Sequence, residues 1–276
     1  MPGWKIERGA QMKRRDRFLP PYISIRLTTG LLTILFLLTA AVSGLFAGFE
    51  ISQIQLLLRV GSYSEVSEEA RWTHTFIRNT LLVSRLVLFG VTAVTFIIWL
   101  HRARINVRAF GCRSFRYPRI WAIIGFFVPI LNLFRPYQVV SEVWRASDPR
   151  ALDTPVAWVS MPVSRYVLAW WVTLLASVFL EILDAGLVTH SGFTIDDLFA
   201  ARSIGMLAGI TSASSAILAY LVISGIEESQ EETWEILRQA DAEADAADPH
   251  WIDLQAEPEP PAITARSIWR AHAADS

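Results

Sequence analysis

Long apolar stretches constrain this fold more than any other feature of the sequence. The first stretch covers residues 27–49, and its only polar side chains are those of Thr and Ser. A helix that crosses the hydrocarbon core of a bilayer needs about 20 mainly apolar residues. Three further stretches of similar length lie at residues 80–100, 166–187 and 204–226. The sequence therefore predicts an all-α fold, a polytopic membrane helical bundle with four full spans.

The first stretch has a second interpretation, a cleaved signal peptide, because small residues lie at positions 39–44. A signal peptide has an apolar core of about 7–15 residues, and this stretch is longer. The composition also favours a membrane protein: only 18% of the residues are charged, against roughly 25% in a soluble domain. We therefore interpret residues 27–49 as a span.

The distribution of positive charge predicts how the chain is threaded. The arm at residues 1–26 is basic, and residues 101–119, which follow Trp99, carry six arginines and no acid. Basic loops stay on the cytoplasmic side, and Trp is enriched at the interface. We therefore expect a multi-pass protein of the cytoplasmic (inner) membrane with both termini cytoplasmic. Its regions are a basic arm (1–26), a transmembrane domain (27–226) that includes a polar connection at 50–79, and an acidic tail (227–276).

A fifth apolar segment, at residues 120–134, is too short for an ordinary span. At 1.5 Å per residue it covers about 22 Å of a hydrocarbon core about 30 Å thick. Pro129 interrupts helical hydrogen bonding, and Asn132 is polar. We predict a short re-entrant or bent helix; the alternative is a full, tilted span through Val140. Residues 136–147 then form an amphipathic helix whose apolar face lies either on the bilayer or in the protein core.

Three ionisable residues lie inside the predicted spans. Counted along the helices, Arg85 lies about 25 Å from the basic boundary at Arg102, and Glu181 lies about 24 Å from Arg165. Asp184 follows Glu181 at i,i+3 and shares its helix face. We predict that Arg85 pairs with Glu181, with Asp184 as a second acceptor. The alternatives are three side chains that reach the outer interface, or a transport pathway.

Three further features of the sequence indicate possible binding partners. Residues 204–226 hold a small-xxx-small pattern at Gly205 and Gly209, which favours packing within the chain or a homo-oligomer. The arginines of the inner face either bind anionic lipids or only fix the topology. Residues 227–276 hold 13 acids against three arginines; their first part is predicted helical, the rest disordered. This tail is a candidate docking segment for a cytosolic or membrane protein.

Catalytic signals are weak. The five histidines are scattered without metal-ligand spacing, and Cys112 is the only cysteine. No nucleophile elbow, P-loop or dinucleotide fingerprint is present. The basic arm lacks the context of a nucleic-acid module. We therefore expect no enzyme activity, no metal or other cofactor, and no nucleic-acid partner.

Residues 96–147 resemble a bacterial membrane family known as domain of unknown function 4328. The resemblance lies in FIIWLHRARINVRAFG and in YPRIWAIIGFFVPILNLFRPYQVVSEVWRAS after a short loop. The matching positions are Trp99, Arg102, Arg104, Asn106, Trp121, Pro129, Asn132, Pro136, Tyr137, Glu142 and Trp144. The resemblance implies a multi-pass bacterial membrane protein and no particular activity.

The sequence thus leads to two functional hypotheses. The first is a non-enzymatic membrane scaffold or regulatory component that acts through its cytoplasmic loops and acidic tail. The second is a small oligomeric transporter or channel that uses the bent segment and the group Arg85, Glu181 and Asp184.

Overall fold

Five α-helices make up most of the chain. The computed structural model describes residues 20–60, 67–115, 133–190 and 195–247. The helices are α1 (Arg26–Val60), α2 (Glu68–Ala109), α3 (Arg135–Ser147), α4 (Arg165–His190) and α5 (Ile195–Ala247), with two short 3-10 helices, Pro149–Asp153 and Ala157–Ser160, between α3 and α4. The described ranges contain no strand. The predicted all-α fold is confirmed.

Four of these helices, α1, α2, α4 and α5, are long and apolar enough to cross a membrane. Each contains one of the four predicted spans, because an uninterrupted apolar stretch both favours a helix and requires a non-aqueous surrounding. Of the predicted re-entrant segment at residues 120–134, only Leu133 and Phe134 are described. The form of the rest of that segment lies outside the described residues.

The helices run well beyond the apolar stretches. The expected polar connection at residues 50–79 is wrong, because α1 continues to Val60 and α2 already begins at Glu68. Ser67 caps α2, its side chain accepting a hydrogen bond from the Ala70 N–H. The 42 residues of α2 correspond to about 63 Å, twice the hydrocarbon thickness. Two charged residues of this stretch, Glu50 and Arg78, are buried and bind side chains of neighbouring helices.

The small residues of α5 pack against α1. A Cβ placed on Gly209 would lie 2.9 Å from both the Ser43 carbonyl oxygen and the Ala47 Cβ. Beside this contact, Ser43 Oγ donates to Ser212 Oγ at 3.1 Å. Gly209 therefore serves close packing within one chain, which was the first of the two alternatives for this pattern.

Helix α3 belongs to the protein core. Val139, Val140 and Val143 on its apolar face are almost completely buried, and the helix packs on α2 and α4. Trp144 extends to α5, where its indole ring lies 2.8 Å from the position of a Cβ on Gly225. Of the two alternatives for this amphipathic helix, the structure supports packing on protein.

One compact unit of the chain, which contains the four predicted spans, runs from Phe18 to Glu235. Gln230 and Thr233, in the first part of the acidic tail, are fully buried. The predicted helical continuation of the last span is confirmed, since α5 ends at Ala247. The remainder of the tail and residues 1–19 of the basic arm lie outside the described residues.

Candidate functional site

Six charged side chains form a buried charge network in this bundle. They come from four helices: Glu50 from α1, Arg78 and Arg85 from α2, Glu181 and Asp184 from α4, and Arg202 from α5. Three are cationic and three are anionic, so the network is neutral when all are ionised. We call this set the charge network.

Arg78 holds two carboxylates at once. Its Nε donates to Glu50 Oε1 at 2.9 Å, and its Nη2 donates to Asp184 Oδ2 at 2.6 Å. Glu50 is completely buried and also accepts a hydrogen bond from Arg202 Nη1 at 3.4 Å. Arg78, which lies on α2, therefore connects α1 with α4, and Glu50, which lies on α1, is connected with α5.

Arg85 forms the second centre of the charge network. Its Nη2 donates to Glu181 Oε1 at 2.5 Å and to the Ala208 carbonyl oxygen at 3.4 Å. Its Nε donates to Ser43 Oγ at 3.3 Å. The guanidinium lies 4.5 Å from the centre of the Phe46 ring, which gives it a cation–π contact.

The structure thus brings Arg85 and Glu181 together, as their depths predicted. The expectation that Asp184 is the second acceptor for Arg85 is corrected, because Asp184 accepts a hydrogen bond from Arg78. The reason is the antiparallel course of α2 and α4. Asp184 follows Glu181 on α4 by almost one turn, and Arg78 precedes Arg85 on α2. Because the two helices are antiparallel, Asp184 and Arg78 are displaced towards the same end of the bundle, so each carboxylate binds a different arginine.

We expect Arg85→Ala to destabilise the bundle and Glu181→Gln to compensate in part, because the charge left behind loses its counterion. The coupling energy in a double-mutant cycle should be about 0.5–3 kcal/mol. Dodecyl sulfate titration in mixed micelles measures the four free energies of unfolding. Simple additivity of the two single changes would contradict the pair.

A second buried network consists of uncharged groups, and we call it the amide network. Asn106 Oδ1 accepts a hydrogen bond from the Ile23 N–H at 2.9 Å, while Asn106 Nδ2 donates to the Ile23 carbonyl oxygen at 2.8 Å. Asn106 Nδ2 also donates to Gln230 Oε1 at 2.9 Å. Asn106 of α2 therefore binds both backbone polar groups of one residue, Ile23, in the segment before α1.

Gln230 continues the amide network to α3. Its Nε2 donates to the Ala103 carbonyl oxygen at 2.9 Å and to Ser147 Oγ at 3.1 Å. Thr233 Oγ1 donates to the Ser147 carbonyl oxygen at 2.8 Å. Every amide N–H of Asn106 and Gln230 is hydrogen-bonded, and such satisfied buried networks favour one well-defined arrangement.

Aromatic and charged contacts surround the amide network. Tyr22 stacks on Trp234 with ring centres 4.8 Å apart, and Arg26 binds both carboxylate oxygens of Glu231. Burial and the neighbouring Glu231 carboxylate raise the pKa of Tyr22. The beginning of α1 is thereby fixed to the part of α5 that follows its span.

These contacts place several chain segments at the same end of the bundle. The segment before α1, the last turns of α2, the end of α3 and residues 230–233 of α5 all meet in the amide network. Four helices that are long and apolar enough to cross a membrane lie along the chain between the first and the last of these segments.

Phe115 and Leu133, which flank residues 116–132, each contact a tryptophan side chain. Phe115 stacks on Trp158 with ring centres 5.0 Å apart, and Trp171 Nε1 donates to the Leu133 carbonyl oxygen at 2.9 Å. Trp158 in turn donates from Nε1 to the Arg113 carbonyl oxygen at 2.8 Å. The course of the chain between Phe115 and Leu133 lies outside the described residues.

The motif residues of residues 96–147 lie mainly around the amide network. Trp99 is buried and donates from Nε1 to Thr29 Oγ1 at 2.9 Å. Arg104 is 1% exposed, pairs with Glu142 on α3 and lies 5.4 Å from the Phe115 ring centre. Arg102 and Tyr137 are half-buried, Pro136 is buried in the first turn of α3, and Trp144 contacts Gly225. Trp121, Pro129 and Asn132 lie outside the described residues.

Sequence reasoning missed six of the ten side chains that form these networks: Glu50, Arg78, Arg202, Ser147, Gln230 and Thr233. The available signal for Glu50 and Arg78 was their position less than one turn beyond the apolar stretches at 27–49 and 80–100, where a charged residue on the same face as a span can still be buried. No comparable signal marked Gln230, which lies among exposed acids.

The fold and the two networks define a class of protein: a membrane protein whose helical bundle buries polar side chains near both ends. The chain belongs to the family described as domain of unknown function DUF4328, whose profile matches residues 64–228. The match confirms the resemblance seen in residues 96–147 and extends it from α2 to α5. No curated protein and no solved structure matches the chain significantly.

Proposed function

We propose that this protein is a non-enzymatic scaffold or regulatory component of the bacterial cytoplasmic (inner) membrane, with both termini cytoplasmic. The observation that carries the proposal is the closure of the charge network. Arg78 and Arg202 bind Glu50, Arg78 also binds Asp184, and Arg85 binds Glu181, so the cations and anions neutralise one another within the bundle. A fixed, self-neutralising network is suited to holding helices together.

The packing of the described residues supports the same function. The cavity between Gln53, Leu57 and Arg202 has a volume of about 10 Å³, which is room for one water molecule. A binding site for a small solute has a volume of about 300–1,000 Å³. This cavity is therefore too small to hold such a solute.

Charged surfaces near the amide network are the proposed contact sites for partners. Glu228 and Glu232 are exposed one turn apart on α5, which suits a basic patch of a cytosolic or membrane protein. Arg102 and Arg108 near the end of α2 suit anionic lipid headgroups. Anchoring the bundle while presenting these two surfaces is the proposed mode of action.

The second candidate, a small oligomeric transporter or channel, is favoured by one observation. Arg85 Nη1 and Asp184 Oδ1 are buried and have no hydrogen-bond partner among the described residues. Unfilled polar atoms at this depth are typical of a path that carries water or ions.

Two assays on the full chain separate these functions. For the scaffold, we expect the double change Glu228→Lys/Glu232→Lys to abolish crosslinking to a partner in intact cells, while Glu68→Lys/Glu69→Lys, with the same change in charge at the other end of the bundle, leaves it intact. In liposomes we expect no flux of ions or small solutes. Flux that disappears in Glu181→Gln would overturn the proposal in favour of a transporter.

A further inference from the structure

We propose that the exposed side of Glu181 binds the primary ammonium group of a phospholipid headgroup. The pair with Arg85 is asymmetric: the Arg85 side chain is 5% exposed, whereas the Glu181 side chain is 42% exposed. One carboxylate oxygen, Oε1, accepts a hydrogen bond from Arg85 Nη2. No described residue donates to the other oxygen, so this anion presents an unfilled acceptor at the surface of the bundle.

The surface around Glu181 is apolar. Val178, Phe179, Ile182 and Leu183 on the same helix are all exposed, as expected for side chains that contact lipid. Helix α4 is one of the four helices that meet the length and hydropathy of a span. A carboxylate that opens onto such a surface is costly unless a cation or a hydrogen-bond donor covers it.

The position of Glu181 along α4 indicates that the group that binds its exposed oxygen belongs to a lipid headgroup. Glu181 lies about 24 Å from Arg165, and the hydrocarbon core is about 30 Å thick. The carboxylate is therefore just below the headgroups of the leaflet opposite the amide network. The remaining distance to the headgroup layer is about 6 Å, the difference between these two lengths.

The hydrogen-bonding chemistry of the carboxylate limits the types of headgroup that fit. A primary ammonium offers N–H donors, and charge-assisted hydrogen bonds to a carboxylate are among the strongest in proteins. The quaternary ammonium of a choline headgroup carries the same charge but no N–H. A glycerol headgroup brings no cation. The acceptor on Glu181 is thus matched by an ethanolamine-type headgroup.

A second copy of the chain fits this site less well. The only lysines, Lys5 and Lys13, precede α1, which begins at the opposite end of the bundle. The arginines at the level of Glu181, namely Arg78, Arg85 and Arg202, already bind carboxylates within the charge network. Among the described residues, a neighbouring copy has no uncommitted cation at this depth.

Lipid retention by the purified full chain tests the proposal without any substitution. Native mass spectrometry measures the lipids that stay bound from nanodiscs containing phosphatidylethanolamine, its N-methyl and N,N-dimethyl derivatives, or phosphatidylcholine, all with the same acyl chains and the same fraction of phosphatidylglycerol. We expect retention to fall with each N–H removed, by about tenfold over the series, which corresponds to the loss of one charge-assisted hydrogen bond. Equal retention across the series would overturn the proposal.

A matched pair of variants locates the effect. Glu181→Gln should lose the preference for the primary amine, while Glu69→Gln, which removes an exposed carboxylate at the start of α2, should keep it. A preference that survives in Glu181→Gln would place the lipid elsewhere and overturn the assignment. A change of oligomeric state in Glu181→Gln at constant lipid would identify a second copy as the covering group, with the same consequence. Partner crosslinking through Glu228 and Glu232 is measured separately, so the two proposals fail independently.

Discussion

Arg78→Ala is expected to lower the free energy of unfolding by about 3–5 kcal/mol, the range found when one partner is removed from a buried ion pair. Arg78 is the only residue that donates to both Glu50 and Asp184 among the described contacts. Without it, Asp184 loses its described counterion, and the completely buried Glu50 keeps only the long contact with Arg202, at 3.4 Å. The cost comes mainly from carboxylates that stay buried without a partner.

The free energies are measured by dodecyl sulfate titration in mixed micelles. Adding Glu50→Gln and Asp184→Asn to Arg78→Ala should recover part of the lost stability, because neutral amides are less costly to bury than carboxylates. Arg150→Ala is the control, since Arg150 is exposed and pairs with Asp148, whose pKa its hydrogen bonds lower. If Arg78→Ala costs no more than Arg150→Ala, the charge network does not stabilise the bundle.

Gly209→Ala is expected to destabilise the bundle by about 1–3 kcal/mol, the usual cost of overpacking a well-packed contact. The new methyl group would lie 2.9 Å from the Ser43 carbonyl oxygen and 3.0 Å from the Ala47 amide nitrogen. Both are backbone atoms, so α1 and α5 have to move apart as whole helices. This movement would also stretch the contact between Ser43 and Ser212.

Gly90→Ala and Gly44→Ala are matched controls for this prediction. A Cβ at either position meets nothing within 4 Å. Each change should be neutral or stabilise by up to about 1 kcal/mol, since alanine is the better helix former. Thermal unfolding monitored by circular dichroism compares the three variants. Equal behaviour of Gly209→Ala and the two controls would contradict the close approach of α1 and α5.

Hydropathy and helix rise were sufficient to predict the spans and one contact of the charge network. Apolar length determines where a helix can lie in a membrane, and a rise of 1.5 Å per residue gives each charged residue a depth. Matching depths therefore brought Arg85 and Glu181 together. Depth alone does not give the reach of a side chain, and so the arginine that binds Asp184 was assigned incorrectly.

The ends of the helices were harder to predict because charge was taken as a sign of solvent. Glu50 and Arg78 lie beyond the apolar stretches, yet each is buried in an ion pair with an oppositely charged residue on another helix. Their burial depends on partners that are distant in sequence, which local composition does not report. The same reasoning applies to Gln230, whose partners Asn106 and Ser147 lie on α2 and α3.

The amide network has a consequence for the order in which the chain assembles during synthesis. The ribosome makes the segment around Ile23 first and Gln230 almost last, yet Asn106 binds both of them. The hairpin of α1 and α2 can form early, because its two helices are adjacent in the chain and pack on each other. The end of the bundle that contains Ile23 is completed only after α5 has left the ribosome exit tunnel. A nascent chain that stops before Gln230 therefore leaves Asn106 with an unused donor.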